Sequence, residues 1–318
     1  MKRYDVLAIG ELNADLVVTG LKSMPQAGKE ITADQYSVTL GSSTAICASG
    51  LAKLGLRTGF IGKVGDDRLG RLVMENLKKN HVATESVVVD QSVPTGLTIS
   101  LSSRKDRALV TYLGSIRELR MEDLDLSALD QTRHIHVGSF FLQQKLRGDI
   151  PKLFELAHKK HVTTSLDAGW DDTQNWDYGI WDALSCTDVF FPNETEALHI
   201  TQTKRVEDAA VRLAETCGTA VVKLGPKGAV AGRKGKLVRQ KTYESFQPVD
   251  TTGAGDSFNA GFLYACLAGK DLQTCLKYGN ACGSISVTKY GGASSCASLE
   301  EAERLVAAEE AQEEADLL

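Results

Sequence analysis

The chain has 318 residues and a formal net charge of −5, enough length for one large domain or two modest ones with ample core. Its Lys and Arg are spread along the sequence, which points away from a nucleic-acid surface, and no run approaches the ~20 apolar residues of a membrane span. The start, Met1-Lys2-Arg3-Tyr4-Asp5, reaches only a short apolar run before Glu11, too short for a secretory leader, and seven cysteines without C-x-x-C spacing read as reduced; we expect a cytoplasmic protein.

Tyr4 to Ile9 has the pattern of a buried strand. The next stretch, through Pro25 and Gly28 to the alternating Ile31, Ala33, Tyr36, Val38 and Leu40, suits strands of a half-exposed sheet. Ser43 to Leu54 turns helical, Thr58 to Val64 reads as a strand, and Leu69, Leu72, Val73 and Leu77 mark a second helix. Between Val93 and Leu113 the alternation returns, predicting a second piece of exposed antiparallel sheet. We therefore divide the chain into an α/β body (residues 1-11, 41-92 and 114-318) and a small β-sheet lid (12-40 and 93-113).

After Gly114 a strand–helix rhythm persists, predicting a mostly parallel central sheet. His134 to Val137, Val162 to Leu166, Val189 to Phe191 and Ala220 to Leu224 are the strands. Asp167, Asn193 with Glu196, and Gly225 each fall just after one of them, where ligands bind in such sheets. His134 and His136 share one strand face with no third ligand in view and read as core residues, and Cys266 as packing.

The run Asp250-Thr251-Thr252-Gly253-Ala254-Gly255-Asp256 carries the chemistry. A glycine turn feeds a helix over Ser257 to Ala268, in which Phe258, Phe262 and Ala265 recur at helical spacing and Gly269 stops the run. Unpaired N–H groups at such a start make an anion site. A carboxylate placed beside it, Asp256, suits drawing a proton from a hydroxyl while charge builds on a transferring group. No P-loop, Rossmann fingerprint or protein-kinase signature is present.

This run resembles the C-terminal signature of the ribokinase-like (PfkB) carbohydrate kinases, and the resemblance extends over essentially the whole chain. Asn13-Ala14-Asp15 is similar to that family's early sugar-contacting Asn-x-Asp. Gly62-x-x-Gly65-Asp66-x-x-x-Gly70 is similar to its glycine turn, Asn193-Glu194-Thr195-Glu196 to its Asn-x-x-Glu motif, and Gly225-Pro226-Lys227-Gly228 to its nucleotide loop. Asn280 and Gly291-Gly292 resemble the tail of its nucleotide and cation region.

The resemblance implies a ribokinase-like three-layer sandwich with a lid, and ATP-dependent phosphorylation of a hydroxyl on a sugar or sugar-like molecule. Asp256 would be the base, expected to stay ionised beside the helix start and hence weak, with the N–H groups of Gly253, Ala254 and Gly255 as anion hole. It also implies an acceptor pocket of Asn13, Asp15, Gly41, Ser42, Ile46 and Asp256, and an ATP site of Asn193, Lys223, Gly225, Gly228 and Asn280. Asn193 and Glu196 would hold Mg²⁺ through water, and the backbone near Asp250, Thr252 and Gly292 would hold K⁺. Dimerisation through the lids is expected from an exposed sheet face or edge.

One segment departs from the family pattern. Ser42 stands where a second glycine is usual and Ile46 where an Asn is usual. Either the acceptor differs from ribose and fructose, or Ser42, Ser43 and Thr44 supply replacement hydroxyls. Trp170 is either an apolar wall of that pocket or a loop aromatic packed on the core. A nucleoside kinase of the same fold, and a non-catalytic sugar or nucleotide sensor, are the alternative readings.

Overall fold

Every position of Tyr4–Ile9 is apolar or sealed by a partner, and the segment forms β1, buried along its whole length. The computed structural model describes residues 2–103, 107–243 and 248–316. β2 (Asn13–Leu21) leaves directly from the end of β1, followed by β3 (Gln35–Leu40), α1 (Ser43–Lys53), β4 (Thr58–Ile61), β5 (Lys63–Gly65), α2 (Arg68–Lys79), β6 (Val88–Asp90), β7 (Gly96–Ser103) and β8 (Arg107–Tyr112). The body resumes with β9 (Thr132–Val137), α3 (Ile150–Lys159), β10 (Thr163–Leu166), α4 (Ile180–Ser185), β11 (Val189–Phe190), α5 (Glu194–Thr201) and α6 (Val206–Thr216). β12 (Thr219–Lys223), β13 (Ala229–Arg233), β14 (Lys236–Gln240), α7 (Ala254–Leu267), α8 (Leu272–Ser286), α9 (Gly292–Ser295) and α10 (Leu299–Asp316) complete it.

The large sheet has eight strands in the order β14-β13-β12-β11-β10-β9-β1-β4. From β12 through β4 its pairs are parallel. Strand alternation sends Leu7, Ile135, Leu166 and Val222 into a core with α3, α4 and α6, and Val6, Val221 and Ala231 into a second core with α1, α7 and α8. That is the expected three-layer α/β sandwich.

Three details differ from the sequence reading. The strand expected over Thr58 to Val64 breaks at Gly62 into β4 and β5, and β5 pairs with β6 in a separate two-stranded sheet. An antiparallel edge, β13–β14, was not foreseen; its two-residue turn at Lys234-Gly235 has φ of 49° and 74°, the twist hairpins favour. The helix after the glycine turn begins at Ala254 rather than Ser257, so Asp256 lies inside its first turn.

The small sheet runs β3-β2-β7-β8. Its outer pairs are antiparallel, but the central β2–β7 pair is parallel, because both strands leave the body in the same direction. Register gives this sheet two unlike faces. Val38, Leu16, Ile99 and Val110 align across one, flanked by Tyr36 with Val18 and Leu101, and by Leu97 with Tyr112. The other carries Asn13, Asp15, Thr39, Thr98, Ser100 and Thr111.

Candidate active site

Five parallel strands end on one side of the large sheet, and each delivers a polar residue there. Glu11 follows β1, Ser139 follows β9, Asp167 follows β10, Asn193 follows β11, and Lys223 closes β12. Asp167 is the hub. Its Oδ2 accepts from Lys223 Nζ at 2.7 Å and from Asn259 Nδ2 at 2.9 Å, and its Oδ1 accepts from Gly169 N at 3.0 Å. Burial alone would raise its pKa, but Lys223 and these donors outweigh burial and hold it below the ordinary carboxylate value.

Asp256 sits in the first turn of α7, behind Gly253, whose φ of 76° puts it in the left-handed region. A Cβ on Gly253 would come 3.0 Å from Ile46 Cγ2 and 3.1 Å from the Gly292 backbone, so both conformation and space require glycine. Asp256 is not the weak, fully ionised base that the helix start alone would make it. Burial first, then the negative Asp167, lift its pKa from 3.8 to about 7, against the opposing pull of Lys223 and a hydrogen bond from Ser43. The desolvation of this half-buried carboxylate outweighs the helix dipole, which is worth only about 0.3–2 kcal/mol. Of the three N–H groups expected as the anion hole, that of Ala254 closes a turn onto Thr251 O at 3.3 Å, a long and readily shared bond.

Asp250 ties the loop before α7 to the turn before α9. Its Oδ1 accepts from Thr252 N at 2.9 Å and Thr252 Oγ1 at 2.6 Å, and its Oδ2 accepts from Gly291 N at 3.0 Å. Asn193 and Glu196 form a capping box on α5: Glu196 N donates to Asn193 Oδ1 at 2.9 Å, while Asn193 N and Nδ2 donate to the Glu196 carboxyl at 2.8 and 2.6 Å. Burial and the neighbouring Asp167 lift Glu196 to about 8. Among the described residues no group of three His, Cys, Asp or Glu side chains gathers for a metal. An Asn–Glu pair is instead the sparse donor set that a largely hydrated Mg²⁺ shared with phosphates would use.

Beside the glycine turn opens a cavity of about 330 Å³, mostly apolar, lined by Lys223, Gly225, Gly228, Gly255, Phe258 and Asn280 among others. Four of the five residues expected to hold ATP line it; the fifth, Asn193, is bridged through its backbone to Lys223 beside it. The Asn280 amide is spent on the chain itself, donating to Lys241 O at 2.9 Å and Gln240 O at 3.3 Å, so it shapes the cavity by holding the end of β14.

The acceptor half is tightly built. Asn13 Nδ2 donates to Asp15 Oδ1 at 3.0 Å, and a Cβ on Gly41 would fall on the Asp15 carboxylate. Ser42 holds φ at 73°, a glycine conformation taken by a serine. Its hydroxyl donates to Glu11 O and accepts from Ala45 N at 3.0 Å as the cap of α1, and the Thr44 hydroxyl donates to the Glu11 carboxylate. Neither is therefore a replacement contact for an acceptor. Of the three candidate hydroxyls, Ser43 alone reaches the reactive centre, through Asp256. Ile46, 4% exposed, packs beneath Gly253 and Gly292. Trp170 is 49% exposed and meets Trp176 edge-on at 5.0 Å, on the outside of an aromatic cluster with His199.

Sequence reasoning missed Glu11 and Asn259. Glu11 is 2% exposed, accepts from Thr44 N at 3.2 Å and Ser139 Oγ at 2.8 Å, has its pKa raised by burial, and adds to the field on Asp256. A Glu set between an apolar strand and Leu12 is the signal that was available. Asn259 lies three residues after Asp256 on one helix face, the spacing at which side chains share a neighbour. Cys266 is exposed rather than packed, whereas His134 and His136 are buried, neutral and bonded to Ser165.

Comparison with known proteins follows the same lines. The model of the pfkB family carbohydrate kinases matches residues 3–299. The 5-dehydro-2-deoxygluconokinase of Bacillus subtilis is 27% identical over 328 residues, spanning 97% of both chains. The ribokinase of Haemophilus influenzae is 28% identical over 300 residues, 92% of this chain and 95% of its own. Among solved structures, Arabidopsis thaliana ribokinase complexed with ribose and ATP superimposes with a TM-score of 0.83 at 27% identity, covering 95% and 98% of the two chains. The adenosine kinase of Sinorhizobium meliloti gives 0.82 at 26% identity, covering 95% and 99%.

Proposed function

The chain belongs to the pfkB family of carbohydrate kinases, and from that premise we propose that it moves the γ-phosphoryl group of ATP to a hydroxyl of a sugar or sugar-like acid, with Asp256 as base. The observation that carries this reading is the Asp256 carboxyl itself, half-buried at a helix start behind a left-handed glycine, with its pKa brought to about 7. A base poised near working pH is the one that general-base catalysis favours.

In this reading Asn13 and Asp15 orient the acceptor from the polar face of the lid (12-40 and 93-113) over the body. Asp256 takes the hydroxyl proton, Ser43 fixes the carboxyl's orientation, and the N–H groups of Gly253, Ala254 and Gly255 receive charge spreading over the phosphoryl oxygens. Lys223 and the Gly225 to Gly228 loop would border the nucleotide, and Asn193 with Glu196 would hold Mg²⁺. Mg²⁺, when bound, offsets charge on the phosphates. K⁺ belongs at the turn that Asp250 ties together, beside Thr252 and Gly292.

We place the protein in the cytoplasm as a homodimer. The support for the dimer is the apolar lid face, where Tyr36 is 76%, Val110 60% and Tyr112 52% exposed. The support for the cytoplasm is that all seven cysteines are free.

The direct test is coupled ADP release with Mg²⁺ and K⁺ across pentoses, hexoses, 5-dehydro-2-deoxygluconate and nucleosides. One class should turn over with saturation, and Asp256→Asn should cut turnover 10²- to 10⁴-fold while leaving ATP binding intact. Silence across the panel, or full activity in Asp256→Asn, would overturn the reading.

A further inference from the structure

At the end of the large sheet remote from Asp256, a second cavity opens among the first residues of β9, β10 and β12 and the last of β13. Its volume is about 570 Å³, within the range of small-molecule sites. Lys2, Arg133, Arg233, Lys234 and Lys270 line it, and Asp188 is the one acid among its described lining residues. That balance stands out on a chain whose net charge is −5.

The charges inside are not equally free. Arg133 is committed to Asp5 at 3.2 Å and to Leu267 O at 3.0 Å. Asp188 is taken up by His158 at 3.0 Å and Thr164 N at 2.8 Å. Lys2, Arg233, Lys234 and Lys270 make no ion pair among the described residues. Phe262, Leu263 and Leu267 give the same cavity an apolar wall. Clustered like charges repel, and among the described lining residues the one acid, Asp188, is already engaged by His158 and Thr164.

We propose that this cavity is a binding site, separate from the catalytic one, for a phosphate-bearing small metabolite of sugar-phosphate or mononucleotide size. The phosphate lies among Arg233, Lys234, Lys270 and Lys2, where the Arg fork and Lys ammonium groups match its oxygens. The uncharged remainder of the ligand lies along the Phe262 and Leu267 wall. The site says nothing about catalysis by itself, and it stands whichever acceptor the kinase uses.

Cys266 provides the readout. It is exposed on the cavity wall, and a hydrogen bond from Cys275, with help from Arg233, brings its thiol down to about 7. The experiment follows alkylation of Cys266 by iodoacetamide in the full chain, read by peptide mass spectrometry. Probes are inorganic phosphate, ribose 5-phosphate and AMP, each against sodium chloride at equal ionic strength. Ribose 5-phosphate or AMP should slow Cys266 labelling at least five-fold and saturably, which also says whether a sugar or a base fills the apolar wall. Lys234→Gln and Lys270→Gln, exposed residues with no ion pair among the described residues, should each weaken that protection several-fold at unchanged kcat. The double variant Arg233→Gln/Lys270→Gln should abolish it, compared within the variant because Arg233 also tunes the thiol. The proposal is overturned by protection no greater than chloride gives, by protection with phosphate alone that does not saturate, or by protection that survives in the single and double variants.

Discussion

Lys223 Nζ lies 2.7 Å from Asp167 Oδ2, and this one ion pair sets the charge state of a site that also holds Glu11, Glu196 and Asp256. Both partners are nearly covered, at 13% and 7% side-chain exposure. Removing the cation therefore strands a buried carboxylate. Lys223→Met should cost about 3–5 kcal/mol in urea unfolding. It should also push Asp256 further upward, because Lys223 is one of the groups pulling it down. The acid limb of the residual activity should shift to higher pH.

Asp256 gives activity and stability opposite responses to pH. With a pKa near 7 in the folded chain, kcat/KM should rise as pH climbs through about 7 and then level. Unfolded, the group ionises at its ordinary 3.8. Between those values the folded state holds a proton that the unfolded state has released, so this group's contribution to stability falls as pH rises across the window. The gap corresponds to roughly 4 kcal/mol. At pH 8, Asp256→Asn should be more stable than the parent in thermal unfolding while losing 10²- to 10⁴-fold in turnover, by the usual worth of a general base. At pH 4 the stability difference should vanish.

Ser42 separates strain from capping. Ser42→Gly removes the left-handed penalty of about 1–2 kcal/mol while losing the hydroxyl contacts to Glu11 O and Ala45 N, so stability should stay within about 1 kcal/mol of the parent. Ser42→Ala keeps the strain and loses the same contacts. It should be the less stable of the two by about 1–2 kcal/mol, measured by the urea midpoint at constant m-value.

Ile46 discriminates a supporting role from an acceptor contact. It packs beneath Gly253 and Gly292, so Ile46→Asn buries an amide there and gives up apolar contact. The variant should lose about 2–3 kcal/mol of stability and show a lower kcat with acceptor KM changed less than two-fold. A KM effect alone would instead mark Ile46 as a contact to the acceptor.

The apolar lid face carries its own check. Tyr36→Asp and Val110→Asp place charge on the exposed apolar face of the small sheet, one on each of its edge strands. Each should shift sedimentation from dimer to monomer at micromolar concentration, with soluble, folded protein by circular dichroism.

The strands of the body were legible as short, continuously apolar runs and its helices by their period-3.6 pattern, and the glycine turn before Asp256 was legible because its composition is unusual. What escaped depends on pairing across the chain. Nothing near Asp167 announces Lys223 or Asn259 as its partners, since each is delivered by a different element. The ionisation of Asp256 was misread for the same reason. Sequence shows the helix start that lowers its pKa but not the burial and the Asp167 charge that raise it. Ser42 looked like a replacement hydroxyl because its left-handed backbone, which turns the side chain onto Glu11, is a property of the folded loop. The β13–β14 hairpin hid behind Lys234-Gly235, a turn without the Asn or Asp that usually marks it.

Lys223 also has a mechanical consequence. Its backbone N–H bonds to Pro192 O just past β11 while its side chain reaches across to the end of β10, so three neighbouring strands are riveted where the candidate site lies. A floor fastened in this way does not slide or gape as a substrate arrives. The small sheet is joined to that floor at Glu11-Leu12 and Gly41-Ser42 and again on either side of β7 and β8, where Thr95 is held by Asp67.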